Sequence, residues 1–277
     1  MNVGVIGLGL IGGSICKSLK KNTSHNVLGY DKDESINSYA ILDKGIDDTL
    51  SDDNISSCDF IIICVYPKAT VEFLKSKAHL IKKGAVIIDC GGIKKEICES
   101  CFEIARVHNF TFIGGHPMAG LHHSGYKYSS AEIFNGASMI LTPFSTDDIR
   151  LIEQVSAFVK SLGFESVTVT TPDKHDQIIA FTSQLAHIVS NAYVKSPQAV
   201  IHKGFSAGSY KDLTRVAKLN ENMWAELFMA NKDHLLFEIE HIINSLCEYK
   251  SAIENDDIVS LKALLKDGSD RKKSIDC

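Results

Sequence analysis

At 277 residues, 44% hydrophobic and 23% charged, the chain can build two domains with sizeable cores and lacks the composition of a disordered protein. A formal charge of −5 and a pI near 6.1 exclude a basic footprint for nucleic acid or an anionic membrane, and Lys and Arg are scattered apart from Arg271, Lys272 and Lys273. No apolar run approaches the ~20 residues of a membrane span and no cleavable leader precedes the first strand, so a cytoplasmic protein is expected. The eight cysteines, at 16, 58, 64, 90, 98, 101, 247 and 277, read as free and mostly buried thiols. Cys98-x-x-Cys101 has no second pair and no histidine at ligand spacing, so no metal site is expected.

The chain opens on NVGVIGLGLIGGS, Asn2 to Ser14. Val3 to Ile6 reads as a buried strand running straight into Gly7-Leu8-Gly9-Leu10-Ile11-Gly12 and then an amphipathic helix. In that setting Gly7 allows the turn, Gly9 admits a pyrophosphate to the backbone, and Gly12 lets helix and strand pack closely; the phosphates would sit at the positive helix end. A second strand, Val27 to Tyr30, ends in Asp31, 19 residues beyond Gly12. A carboxylate there binds the adenine ribose hydroxyls and repels the extra phosphate of NADP, so NAD is the expected cofactor. The competing reading has Asp31 merely capping a helix that begins near Asp33.

Further along, Ser35 to Leu42 is helical, Cys58 to Val65 is a continuous apolar run of the fully buried parallel kind, and Pro67 starts another helix. Ala85 to Asp89 is a strand followed by the turn Cys90-Gly91-Gly92 and a helix from about Lys94 to His108. Phe110 to Ile113 is the next strand, running into a turn, Gly114-Gly115-His116-Pro117. Ser138 to Thr142, Asp147 to Leu162 and Val167 to Thr170 follow as strand, helix and strand. This alternation predicts an α/β fold, a Rossmann-like doubly wound and largely parallel sheet, with ligands at the carboxyl ends of its strands. Gly7 to Gly12, Asp31, Val65 to Pro67, Cys90 to Ile93 and Gly114 to Gly120 should open on that edge.

The pattern changes at Thr171-Pro172-Asp173, a helix start. The expected domains are a dinucleotide-binding one over 1–170 and an all-helical one over 171–277. Helices are predicted over Pro172 to Lys195, Ser209 to Lys218, Asn222 to about Ile253 and Ile258 to Leu265, with the polar stretch Asp267 to Cys277 as a loose tail. In the long helix Trp224, Phe228, Leu235, Ile239, Ile242 and Leu246 form one apolar stripe, with Met223 and Leu227 beside it, suited to packing against a second subunit.

Three groups could carry chemistry. His116, at the ligand edge, offers a neutral imidazole to accept a hydroxyl proton as a hydride leaves the same carbon; the bland alternative is a structural loop histidine. Asp176, Ser183 and His187, spaced by seven and four, would share one face of an apolar helix, lining a site or facing solvent. Arg215 would give an acidic substrate a two-point grip, although the residues alone read it as a surface arginine.

Several motifs stand in one order: GLGLIGGS, GGHPMAG, TPDKHD leading to SQLAH, and GSYKDLTRVA followed by NMW. Together they resemble the prephenate dehydrogenase family, whose members use NAD to convert prephenate to 4-hydroxyphenylpyruvate in tyrosine biosynthesis, and the likeness runs from the first residues to Trp224 and beyond. The resemblance implies an NAD-binding domain followed by a dimerising helical domain, hence a homodimer. It implies that His116 bonds the ring hydroxyl of prephenate, that Arg215 grips a substrate carboxylate, and that His187 belongs to the substrate pocket. His175 and Asp176 match an HD pair near that pocket, and Gly208 and Trp224 match positions close to the substrate. Leu8, Leu10 and Ile11 of the glycine loop, with Val65 and Pro67, would face the cofactor.

This chain departs from the family pattern at several positions. Gly92 stands where many members have a serine that bonds both the histidine and the substrate, so water or a backbone N–H must serve there. Gln184 and Ala186 replace a histidine and a proline, and His122 replaces an acid. Leu121-His122-His123 offers no acid for the amino group of arogenate, which favours prephenate. The alternatives are an arogenate dehydrogenase and, in another class, a non-catalytic NAD(H)-binding sensor.

Overall fold

The computed structural model describes residues 1–121 and 123–276, so His122 and Cys277 lie outside the described residues. The chain divides into two compact units, Met1–Ile178 and Ile179–Cys277.

In the first unit, strands β1 (Asn2–Ile6), β2 (Asn26–Tyr30), β3 (Asp48–Thr49), β4 (Phe60–Ile63), β5 (Val86–Asp89), β6 (Thr111–Pro117), β7 (Ser138–Pro143) and β8 (Ser166–Val169) form one sheet in the order β3-β2-β1-β4-β5-β6-β7-β8. Every neighbouring pair is parallel except β6 and β7, which run antiparallel with His116 opposite Ile140. Because strand side chains alternate, the central strands feed two cores. Val3, Val5, Phe60, Ile62 and Ile88 pack with Ile15 and Leu19 of α1 (Leu10–Asn22) and Val155 and Phe158 of α5 (Ile149–Ser161). Ile6, Ile61, Ile63 and Ile87 pack with Leu74 of α3 (Pro67–Lys77) and Ile97 and Cys101 of α4 (Lys95–His108). Helix α2 (Glu34–Leu42) follows β2 and is capped by Asp33, whose carboxylate accepts the Ser35 N–H at 3.0 Å.

The unit closes with α6 (Pro172–Ile179), started by the Thr171 hydroxyl, which accepts the Lys174 N–H at 3.3 Å. The second compact unit therefore starts at Ile179, eight residues beyond the change of pattern at Thr171. The reason lies in Asp176, whose carboxylate takes the backbone N–H groups of Lys94 and Lys95 at the start of α4 and ties α6 to the sheet.

The second unit is all helical. A π-helical segment, Ala180–Leu185, leads into α7 (Ala186–Tyr193), followed by α8 (Gly208–Thr214), α9 (Glu221–Ala230), α10 (Lys232–Glu254) and α11 (Ile258–Asp276). Two expectations are corrected here. The single helix over 222–253 is two helices, because Asn231 turns inward: its amide donates to Gln184 Oε1 at 2.9 Å, while Gln184 donates to the Leu227 carbonyl at 3.1 Å. The polar segment from Asp267 is helical through Asp276, held by the i,i+4 pairs Lys266–Asp270, Asp267–Arg271 and Lys272–Asp276. Among the described residues no helix is long and apolar enough to cross a membrane.

Candidate active site

The glycine loop has the shape its sequence requires. Gly7 has φ +84°, and a Cβ on Gly12 would lie 1.9 Å from the Gly7 carbonyl oxygen, so helix α1 can start against β1 only without side chains there. A Cβ on Gly9 would meet nothing within 4 Å, which leaves open space beside the backbone at the α1 N-terminus. Leu8 is fully buried, while Leu10 and Ile11 are half-buried. Asp31 does not cap α2, since Asp33 does. Its Oδ2 accepts the Leu8 N–H at 2.9 Å and its Oδ1 the Asp33 N–H at 3.1 Å, so the carboxylate is fixed against the glycine loop. Val65 packs beside Gly7 after β4, and Pro67 is the first residue of α3. These residues fit a dinucleotide: open backbone at a helix N-terminus for the pyrophosphate and a fixed acid for a ribose.

His116 lies within β6, not on a turn beyond it. The sequence pair Gly114-Gly115 had suggested a turn, but these glycines make room inside the sheet. A Cβ on Gly114 would come within 2.2 Å of Thr142 Oγ1, 2.6 Å of Cys98 Sγ and 3.0 Å of Lys94 Cδ. The space is taken by the Lys94 side chain, which is wholly buried. Its ammonium donates to Asp89 Oδ2 at 2.5 Å and to the Gly115 carbonyl at 2.7 Å, while Asp89 accepts the Gly115 N–H at 3.1 Å and the Gly91 N–H at 2.7 Å. Backbone pairing of β5 with β6 ends at Ile88 and Ile113, and this ion pair continues the connection to the residue before His116.

The imidazole of His116 then meets α6. Its Nδ1 is 2.9 Å from His175 Nε2, and His175 Nδ1 is 2.6 Å from Asp176 Oδ1. His116 retains some exposed surface, whereas His175 and Asp176 are each 1% exposed. Burial holds the His116 imidazolium well below the usual range, and the neighbouring His175 and Lys94 add to the effect. His175 is also pushed down by burial, against the pull of Asp176. A neutral imidazole on a rigid strand can accept a proton but is a poor place to keep one.

In the second unit, the π segment interrupts the 3.6-residue period that would have put Asp176, Ser183 and His187 in one row. Ser183 is half-buried within that segment. The His187 ring sits 4.0 Å, centroid to centroid, from Trp224, and its Nδ1 donates to the Val216 carbonyl at 3.1 Å. Asn191, one turn on, donates to the Ala217 carbonyl at 3.0 Å. These two bonds fix the segment after α8, where Arg215 stands at the C-terminal cap of that helix with its side chain exposed. Burial lowers the His187 basicity, and the charge of Arg215 lowers it further. Gly208 is the first residue of α8, and a Cβ there would meet nothing within 4 Å.

Sequence reasoning missed Asp89 and Lys94 altogether, and it named His175 only through the resemblance. The usable signal was the glycine pair in mid-strand, which marks close approach by another group. Cys98 and Cys101 are buried on α4, with thiols pushed up to about 12 mainly by burial; Cys98 lies 3.4 Å from Thr142 Oγ1.

A doubly wound sheet with this glycine loop, a fixed acid after β2 and a histidine on the same edge defines a dinucleotide-dependent oxidoreductase joined to a helical unit. Comparison with known proteins narrows the class. Residues 15–168 match the family model for the prephenate dehydrogenase nucleotide-binding domain, and residues 171–267 that for the prephenate dehydrogenase dimerization domain. The chain belongs to the prephenate dehydrogenase family of NAD-dependent oxidoreductases. It is 30% identical to the prephenate dehydrogenase of Bacillus subtilis over 97% of this chain and 74% of that one. It is 28% identical to the cyclohexadienyl dehydrogenase of Zymomonas mobilis over 92% and 89%. The crystal structure of prephenate dehydrogenase from A. aeolicus in complex with hydroxyphenyl propionate and NAD+ superimposes with a TM-score of 0.86, at 28% identity, covering 99% of this chain and 98% of that one.

Proposed function

We propose that this protein catalyses the NAD-dependent oxidative decarboxylation of prephenate to 4-hydroxyphenylpyruvate, with His116 as the acceptor for the ring hydroxyl proton. The observation that carries this reading is a half-buried imidazole, kept neutral by its surroundings and held at the ligand edge of the sheet, on the same edge as the glycine loop and Asp31. NAD, when bound, accepts the ring hydride. His116 Nε2 draws the hydroxyl proton as the carbon–oxygen double bond forms. Departure of the ring carboxylate as CO2 then yields an aromatic ring, whose oxygen takes the proton back. The net reaction releases no proton, which suits a base that holds one only briefly.

Gly7 to Gly12, with Val65, Pro67 and Asp31, hold the cofactor in this reading. Arg215, His187, Ser183, Gly208 and Trp224 of the helical unit serve substrate binding, Arg215 by gripping a carboxylate. Gly92 offers no hydroxyl, so backbone or water replaces it. The two domains are 1–170 and 171–277, the second forming a homodimer. The dimerization-domain match and the exposed apolar side chains Phe205, Val200 and Leu246 support that assembly. Seven described cysteines without disulfides agree with a cytoplasmic setting.

The test is NADH absorbance on mixing purified protein and NAD with prephenate, and in parallel with arogenate. Prephenate alone should give NADH. Formation only from arogenate would keep the chemistry and overturn the substrate, and none from either, with NAD still bound, would favour a sensor. Arg215→Ala should raise KM and lower kcat/KM by roughly 2 to 4 kcal/mol if bound substrate desolvates the arginine–carboxylate pair. Unchanged kinetics would remove Arg215 from the site.

A further inference from the structure

The three side chains His116, His175 and Asp176 form a chain in which each hydrogen bond dictates the next. Asp176 is fixed first: Oδ1 accepts the Lys94 N–H at 2.8 Å and Oδ2 the Lys95 N–H at 2.9 Å, at the N-terminal end of the 14-residue helix α4. That end carries positive dipole charge and favours a carboxylate. Toward His175 Nδ1, 2.6 Å away, the carboxylate is an acceptor, so Nδ1 carries a proton. A neutral imidazole has only one N–H, so His175 Nε2 holds a lone pair. That lone pair lies 2.9 Å from His116 Nδ1, which must therefore donate. The remaining nitrogen of His116, Nε2, is left as an acceptor.

We propose that His175 and Asp176 are positioning residues that lock His116 in the tautomer protonated on Nδ1, so that Nε2 always presents a lone pair to the substrate hydroxyl. The inference rests on the reading of His116 as proton acceptor, and it adds a reason why that ring is ready before substrate arrives. With the opposite tautomer, two lone pairs would face each other at 2.9 Å and Nε2 would offer a proton where a base is needed. A doubly protonated His175 would force the same wrong state, and its burial disfavours that form. The lock also survives turnover. When Nε2 takes the hydroxyl proton, Nδ1–H remains bonded to His175, and return of the proton to the product oxygen restores the starting tautomer.

The deciding measurement is a long-range proton–nitrogen NMR correlation on uniformly 15N-labelled full-length protein near pH 7.5, without substrate. The ring signals are assigned by their loss in His116→Asn and His175→Gln. Both rings should show a protonated Nδ1 and a bare Nε2; a proton on His116 Nε2 overturns the proposal. Kinetics supply the second arm. His175→Leu should lower kcat by roughly 10²-fold, at the lower end of what a mis-set base costs, with KM and NAD affinity unchanged. His175→Gln, whose amide oxygen can stand where Nε2 was, should recover part of that loss. Full kcat in His175→Leu overturns the lock. If the leucine variant no longer binds NAD, the wild-type spectrum decides alone. If no substrate is turned over, the spectrum still tests the lock while the function itself fails.

Discussion

Replacing His116 by asparagine is expected to lower kcat on prephenate by roughly 10²- to 10⁴-fold, the range for a general base, while NAD affinity stays the same. Asparagine keeps a donor near the Nδ1 position and so can still bond His175, but it places no lone pair where Nε2 stood. The glycine loop and Asp31, which belong to β1, α1 and β2, are untouched. The wild-type pH profile carries the same information. Burial, His175 and Lys94 all disfavour the imidazolium, so His116 stays neutral well below the usual histidine value of 6.5. The acid limb of kcat/KM should therefore fall below pH 6.5. For stability the sign is the same: a depressed histidine contributes most above 6.5, and that part is lost as pH falls toward its folded value. An acid limb above 6.5, or unchanged kcat in the asparagine variant, would remove His116 from the chemistry.

The dinucleotide half was legible because its constraints are local. The need for φ > 0 at Gly7 and for an absent Cβ at Gly12 are properties of adjacent backbone, and the spacing to Asp31 follows from one helix and one strand. The position of His116 on the sheet edge was legible for the same reason, although its place inside β6 was not. Contacts between residues far apart in sequence left weaker traces. Lys94 and Asp89 are five residues apart across a loop, a spacing that neither helix nor strand periodicity rewards, and Asp176 reaches α4 across 82 residues. Asn231 gives no sharp stop by propensity, and its tertiary bond to Gln184 accompanies the break between α9 and α10. The Asp267 to Asp276 helix did leave a trace, in oppositely charged residues at i,i+4, which polarity alone obscured.

The second large effect is on folding: Lys94→Met is expected to destabilise the first unit by about 3–5 kcal/mol, the usual cost of breaking a buried ion pair from one side. Methionine can fill the channel that Gly114 leaves beside Cys98 and Thr142, so little of the loss comes from packing. What remains is a wholly buried Asp89 whose counter-charge is gone, with the Gly91 and Gly115 N–H groups as its remaining donors among the described residues. The Gly115 carbonyl loses its donor at the same time. Adding Asp89→Asn should recover part of the stability, since a neutral amide can still accept one of those N–H groups and leaves no unpaired charge. Urea unfolding of wild type, the single variant and the double variant measures this directly. Because Lys94 also holds the strand segment before His116 and helps keep that ring neutral, folded Lys94→Met protein should show its acid limb moved to higher pH. A loss of stability no larger than that of an exposed salt bridge, or a double variant weaker than the single one, would show that this pair does not organise the edge of the sheet.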